Sequence, residues 1–431
     1  MKQVTKVILS SLICNTLLWY DHMLFGHLIN IIGSIFFPSD DQLTSVLKAF
    51  GVFAVGFLMR PIGAAIFGHI GDKHGRRVAL LISIILMTLS TVLIAFVPGY
   101  ESIGILASIL VVCLRLLQGI SLGGEAGNAP FLIEHAPKNK KGFFGSIEVL
   151  SAILGSILSL IVVLICKKVS DFESWGWRLP FIFSLAMGLV SIYMRYILDE
   201  SPEYKKQKKT STLPLKELLS NYKKPFLISV GVDIVENSSL YIYLVFFNVL
   251  TEKMSVISGH FNHIVEILSQ ITLGVLTILF AILSDRIGRE KVMKFAFISF
   301  IIVSYPVFSM LCSGNYLPTI IAHVLFIIPI AASLGPVSAL MCELFPTKVR
   351  YSGFGLSRNI AAGFFGGLAP FICTTIIKIT GQETSASFYM IFCASIGLIA
   401  ILQIKQKEEY SSSHSKNPNS GLGIKKTEEY Q

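Results

Sequence analysis

From Val7 onward the chain is a succession of apolar runs separated by short polar breaks. Each run is about 20 residues long, the length an α-helix needs to cross the hydrocarbon core of a bilayer. The pattern predicts spans near residues 7–33, 44–68, 78–97, 103–134, 143–166 and 178–198, and after a polar stretch near 224–250, 262–283, 292–312, 317–344, 351–378 and 385–404. Two sets of six predict an all-α membrane protein of twelve transmembrane helices in two six-helix halves. On this plan residues 1–198 form the first half, 199–223 a basic linker, 224–405 the second half and 406–431 a tail. From Tyr410 the composition offers too little apolar surface to fold, and the tail is expected to be disordered.

Composition agrees with a lipid environment. Hydrophobic residues make up 53% of the 431 positions and charged residues 14%, where soluble domains carry about a quarter charged. The first apolar run is too long for a signal-peptide core and no small-residue cleavage site follows it, so it is expected to stay as the first span. Seven scattered cysteines show neither C-x-x-C nor metal-like spacing and read as small packing residues. Neither a metal nor a cofactor is expected.

A net charge of +10 suits either nucleic acid or anionic lipid, and position decides between them. With the N-terminus inside, the inner loops hold Lys73, Arg76 and Arg77; Lys138, Lys140 and Lys141; Arg286, Arg289 and Lys291; and Lys348 and Arg350. The outer loops at 34–43, 97–102 and 313–316 hold no lysine or arginine, and the loop around Lys167, Lys168 and Arg178 opposes the bias. This asymmetry predicts cytoplasmic termini and basic residues facing lipid, not nucleic acid. The linker run Lys205, Lys206, Lys208, Lys209, Lys216, Lys223 and Lys224 is attracted to anionic lipid by about 1 kcal/mol per residue. It reads as a topology-setting linker or as a regulatory ligand site.

One polar break is distinctive. Between spans two and three stands Gly71-Asp72-Lys73-His74-Gly75-Arg76-Arg77, and at the corresponding place in the second half stands Ser284-Asp285-Arg286-Ile287-Gly288-Arg289-Glu290-Lys291. Two such breaks, each after the second helix of its half, constitute an internal repeat. Glycine permits a tight reversal with positive φ, and aspartate accepts backbone N–H bonds or faces a helix N-terminus. Gly71, Asp72, Gly75, Arg76, Asp285, Arg286, Gly288 and Arg289 are therefore candidates for loops that bias conformation. The chain has no G-x-x-x-x-G-K-[ST], H-E-x-x-H or G-x-S-x-G, so neither an ATP-driven pump nor an enzyme is expected.

These features, with further motifs, resemble the major facilitator superfamily, specifically its metabolite:proton symporters. The resembling residues are Asn15-Thr16-Leu17-Leu18-Trp19-Tyr20-Asp21, Arg60-Pro61-Ile62-Gly63, Arg115-Leu116-Leu117-Gln118-Gly119 with Gly123-Gly124-Glu125, Gly176-Trp177-Arg178-Leu179-Pro180-Phe181, Glu200-Ser201-Pro202-Glu203, and Phe345-Pro346-Thr347-Lys348-Val349-Arg350-Tyr351-Ser352. The resemblance implies a multi-pass carrier of the bacterial inner membrane that couples protons to a small polar metabolite by alternating access. Similar proteins carry zwitterions such as proline and betaine, or carboxylates such as citrate, 2-oxoglutarate and shikimate. Two departures stand out: Leu18 replaces a glutamate and His22 a phenylalanine of the family's Glu-Trp-x-Asp-Phe pattern. The tail lacks apolar heptads, so osmotic regulation through a coiled coil is not carried over.

Ionisable groups inside a bilayer cost at least about 2.5 to 3.5 kcal/mol each and normally have partners. Asp21, Arg60 and Arg115 fall within spans one, two and four, and Asp21 is expected to pair with Arg60 or Arg115. The resemblance makes this region, with His22 and Glu125, a proton-coupling cluster. Glu125 and Glu134 relay protons or pack against the inner loops. His22 takes over the missing glutamate's role or is a hydrogen-bonded structural residue. Asp233, Glu236 and Asn237 form a polar stripe in span seven, and Arg358 and Asn359 lie in span eleven. All five contact substrate or bond helix to helix. Trp19 and Tyr20, with Tyr241 and Tyr243, are candidates for cation–π contact with a betaine-like solute, and Arg60, Arg115 and Arg358 for clamping a carboxylate. A channel or a sensor that does not transport is the remaining alternative; the doubled six-helix plan favours a rocking carrier.

Overall fold

The structure, a computed structural model, describes residues 2–39, 42–74, 76–134, 136–169, 171–197, 214–247, 250–251 and 259–415. Among these residues there are helices and no strands. Eleven helices are long and apolar enough to cross a membrane, and Lys2–His27 continued by Ile29–Phe36 supplies the twelfth. Span two is Gln42–Leu58 and Arg60–His74, span three Arg76–Ile94, span four Ile105–Gly123 extended through Asn128–Glu134, span five Lys141–Cys166 and span six Arg178–Ile197. In the second half span seven is Lys223–Tyr241 with a π turn at Ile242–Phe246, span eight Gly259–Ile287, span nine Arg289–Leu311 and span ten Tyr316–Leu344. Span eleven joins Thr347–Ala361, a π turn at Ala362–Gly366 and Ala369–Thr380, and span twelve is Ser387–Ser415.

The breaks inside spans have local causes. Span two interrupts its helix at Met59, just before Arg60-Pro61, where proline removes an N–H donor and its ring crowds the carbonyl four residues back. Spans two and four then touch backbone to backbone, because a Cβ on Gly119 would fall on the Gly56 carbonyl. Spans one and five pack together, as do three and six, nine and ten, and seven and twelve. The halves meet where span five lies against spans eight and ten, and where span two lies against span eleven. Large apolar residues such as Leu89, Ile105, Ile302 and Leu317 are exposed on the outside of the bundle, as a lipid-facing surface requires. Span seven is the opposite case: 94% of its apolar window is buried, so it runs through the centre with almost no lipid face.

Three expectations change. The first repeated break is mostly helix, with span two continuing to His74 and span three starting at Arg76; Gly75 lies outside the described residues. The linker contains a short helix, Pro214–Asn221, held by Leu218 against Phe226, Phe345 and Val349, while residues 198–213 lie outside the description. Residues 406–415 of the expected tail are helical, the last helix continuing to Ser415 through Lys405-Gln406-Lys407-Glu408-Glu409, all good helix formers. Residues 416–431 are outside the described set.

Candidate substrate and coupling site

Span one divides its polar residues between two faces, because successive residues turn by about 100° around a helix. Trp19 and His22 share the face toward the junction of the halves. Trp19 Nε1 donates to Glu125 Oε1 at 2.6 Å. Tyr20 and Asp21 lie on the flank toward span six: the Tyr20 hydroxyl donates to the Pro180 carbonyl at 2.8 Å, and Ser184 Oγ donates to Asp21 Oδ1 at 2.5 Å. The expected pairing of Asp21 with Arg60 or Arg115 does not form among the described residues; helical phase turns the carboxylate into the first half. Tyr20 is likewise removed from the junction.

The arginines have separate tasks. Arg115 is fully buried, donates from Nη1 to Gln118 Oε1 at 2.7 Å, and lies 4.4 Å and 5.0 Å from the ring centres of Phe25 and Phe53. Gln118 in turn donates to Thr91 Oγ1 at 2.7 Å, so Arg115 ties spans three and four together within one half. Arg60 crosses between halves, donating from Nε to Asn359 Oδ1 at 3.0 Å, while its buried Nη1 makes no hydrogen bond.

Arg358 is the centre of a second inter-half cluster. Its Nη2 is 3.0 Å from Glu236 Oε1 of span seven and 3.5 Å from Glu148 Oε1 of span five. Ser338 Oγ of span ten donates to Glu148 Oε2 at 2.9 Å. Asn237 donates to the Asp233 carbonyl at 3.0 Å, and the Asp233 carboxyl lies beside that of Glu236. Glu125, Glu148, Asp233, Glu236, Asn237, Arg358 and Asn359 are all buried.

An aromatic group adjoins Arg115 and Arg60 and crosses the junction. The His22 ring is 5.4 Å from Trp19, 5.8 Å from Phe53, 4.9 Å from Phe57 and 6.4 Å from Tyr241, centre to centre. Phe57 meets Tyr241 edge-on at 4.8 Å, joining the group across the halves. His22 is 1% exposed and neither ring nitrogen has a hydrogen-bond partner. The Tyr241 hydroxyl neighbours Arg60.

At the basic end of the bundle the second repeated break reaches across the halves. Gly142 N and Phe143 N, at the start of span five, donate to Asp285 Oδ1 at 2.9 Å and Oδ2 at 3.1 Å. The carboxylate thus satisfies orphan donors at a helix N-terminus. Arg289 bridges Asp285 at 3.3 Å and Glu343 at 2.8 Å, Lys141 approaches Glu343 at 3.6 Å, and Arg350 approaches Glu134 at 3.5 Å. Gly288 turns the chain between spans eight and nine with φ 101, the left-handed region glycine was expected to supply; Arg286 is exposed. Backbone at Gly71 and Asp72 is the end of span two and Arg76 the start of span three.

Glu148 was missed in the sequence although the signal existed: it is the lone carboxylate in the apolar run from Lys141 to Cys166. A polar link near the opposite end was missed as well. His27 of span one contacts Ser159 Oγ at 2.7 Å and Glu266 of span eight at 3.7 Å.

Comparison with known proteins agrees with this architecture. Residues 7–212 and 203–408 each match the sugar (and other) transporter family. The chain is 31% identical over 426 residues to the glycine betaine/proline/ectoine/pipecolic acid transporter of Dickeya dadantii, covering 94% of this chain and 84% of that one. It is 31% identical over 400 residues to the alpha-ketoglutarate permease of Escherichia coli, covering 91% and 92%. The solved structure of the major facilitator superfamily proton:xylose symporter XylE, bound to 6-bromo-6-deoxy-D-glucose, superposes with a TM-score of 0.73 at 17% identity over 94% of this chain and 96% of that one. With two repeated six-helix halves and a match along both of them, the chain has the major facilitator fold and belongs to the sugar (and other) transporter family.

Proposed function

We propose that the chain is a carrier, not an enzyme, of the bacterial cytoplasmic membrane. In this reading its basic face and termini lie inside, and it takes up a proline- or betaine-like zwitterion together with protons by alternating access. The observation that carries the reading is the aromatic cluster at the junction of the halves. His22, Phe53, Phe57 and Tyr241 pack with Trp19, which bonds the buried carboxylate of Glu125, and Phe57 lies 5.5 Å from the incompletely bonded guanidinium of Arg60. Rings and a carboxylate attract an ammonium group; a guanidinium attracts the carboxylate at the solute's other end. The Dickeya relative's named solutes have this chemistry.

Within the proposal Trp19, His22, Arg60, Glu125 and Tyr241 meet solute. Arg358, held by Glu236, and Asn359 tie the two halves together on the adjoining wall, with Asp233 and Asn237 beside them in span seven, and Asp21 and Arg115 fix the packing of the first half. The basic linker and the inner loops lie against lipid headgroups, and nucleic acid has no part. A second reading, symport of a carboxylate of the 2-oxoglutarate type, is favoured by the free Nη1 of Arg60 and by the permease relative.

The test is uptake into proteoliposomes holding the purified chain. An imposed inward proton gradient is expected to accumulate radiolabelled glycine betaine or proline above its equilibrium level. Accumulation of 2-oxoglutarate alone would select the second reading, and uptake indifferent to the gradient would refute proton coupling.

A further inference from the structure

We infer that Glu148 is the proton-carrying group of the coupling cycle and that protonating it releases the link between Glu148 and Arg358, unlocking the two halves. The inference rests on the proton-symport reading above. Its basis is geometric: Arg358 is shared between a partner in its own half and a partner in the other. Glu236, at 3.0 Å, moves with Arg358, whereas Glu148, at 3.5 Å, belongs to span five of the first half. The link must break when the halves separate on that side.

The identity of the carrier follows from which proton changes which contact. A proton on Glu236 leaves the link across the halves intact. A proton on Asp21 alters only its bond with Ser184, which lies within the first half. A proton on Glu148 removes the attraction across the junction and leaves Arg358 neutralised by Glu236, so opening exposes no unpaired buried guanidinium.

The surroundings of Glu148 favour this division. The charged and titratable groups facing it are Arg358 of span eleven, Glu236 and Asp233 of span seven, Glu125 of span four, Arg60 of span two and the thiol of Cys342 of span ten. Four buried carboxylates thus face two guanidiniums. In a dry cluster the excess negative charge is costly, and bound protons relieve it. Ser338, donating at 2.9 Å, positions the Glu148 carboxyl toward Arg358 instead of touching solute.

In the resulting cycle a proton from the outer side binds the Glu148 carboxylate together with solute, and the junction between spans five and eleven opens inward. The proton then leaves to the cytoplasm, and the restored carboxylate draws Arg358 back. Solute without a proton leaves the link closed, which is the coupling condition.

The test uses proteoliposomes of the full chain containing a trapped pH-sensitive dye, with whichever of proline or glycine betaine the wild-type protein accumulates. Glu148→Gln is expected to lose at least about tenfold of solute-driven proton entry while exchange of labelled for unlabelled solute continues at a reduced rate. Glu148→Asp is expected to restore part of the proton entry. Undiminished proton entry in Glu148→Gln overturns the inference and leaves the symport reading standing; a wild-type protein without proton entry overturns the symport reading itself. If Glu148→Gln does not fold, Ser338→Ala decides. Losing one hydrogen bond to the carboxyl is expected to move the pH of half-maximal uptake by about half a unit. An unchanged pH profile there counts against Glu148.

Discussion

Replacing Asp285 by alanine gives the sharpest test of how the repeated break acts. In the structure its two carboxylate oxygens accept the Gly142 and Phe143 amides at 2.9 and 3.1 Å, joining span eight to the N-terminus of span five across the halves. When the halves separate at this end, water replaces Asp285, so the relevant quantity is the net worth of a capping carboxylate. Caps are worth about 0.5 to 2 kcal/mol, and two bonds to an ionised acceptor place this one near about 2 kcal/mol. The accompanying Arg289 pair adds little, since Arg289 keeps Glu343 at 2.8 Å and the pair is partly exposed. At about 1.4 kcal/mol per factor of ten, Asp285→Ala is expected to shift the closed-to-open ratio at the basic end by about 30-fold. Asp285→Asn keeps one acceptor and loses the charge, so about fivefold is expected.

A native thiol can read this out. Cys342 is 1% exposed at the basic end of span ten, with Arg350 and, from the other half, Glu134 and Glu148 among its neighbours. Its alkylation by N-ethylmaleimide, followed by peptide mass spectrometry in proteoliposomes, reports opening at that end. Faster Cys342 labelling in the order alanine, asparagine, wild type is expected. Equal rates in all three, or slower labelling in Asp285→Ala, would refute the assignment of Asp285 as a closing contact.

Two other substitutions test separate parts of the account. Gly119→Val places a side chain on the Gly56 carbonyl and wedges spans two and four apart; overpacking of this kind costs about 1 to 3 kcal/mol or more, so a lower melting temperature in detergent is expected, and wild-type melting would contradict the contact. Trp19→Phe removes the 2.6 Å donor from buried Glu125 at a cost of about 1.5 to 3 kcal/mol. Under the proposed function it weakens binding of radiolabelled glycine betaine by tenfold or more, and unchanged affinity would remove Trp19 from the solute site.

The architecture was legible because a bilayer imposes a length on every apolar run, and because Asp285 and Gly288 repeat the chemistry of Asp72 and Gly75 in the corresponding place. Breaks inside spans were not, since Leu28 and the π turn at Ala362–Gly366 sit in sequence as apolar or small as their surroundings. Side-chain direction was the harder loss. In a surface helix of a soluble protein the polar face marks the outside, but a helix buried on nearly all sides has no such marker, and span seven is the extreme example. Asp21 and His22 are neighbours in sequence, yet one turns into the first half and the other toward the junction.

Once direction is known, the location of each partner separates structural from mechanistic charges. Asp21 with Ser184, Arg115 with Gln118 and Arg195 with Asn128 lie within one half, and such links persist when two rigid halves rock. Arg60 with Asn359, Glu148 with Arg358 and Asp285 with the start of span five cross the junction, so each differs between the closed and open states. A ligand or proton shifts a conformational equilibrium only by interacting differently with its two states. Among these buried links, the ones that cross therefore hold the coupling, and of them the Glu148–Arg358 link joins a titratable carboxyl to a cation that keeps a second partner in its own half. That combination permits a proton to open the junction without stranding a charge in the membrane, which neither the neutral Asn359 bond nor the same-half Asp21 bond does.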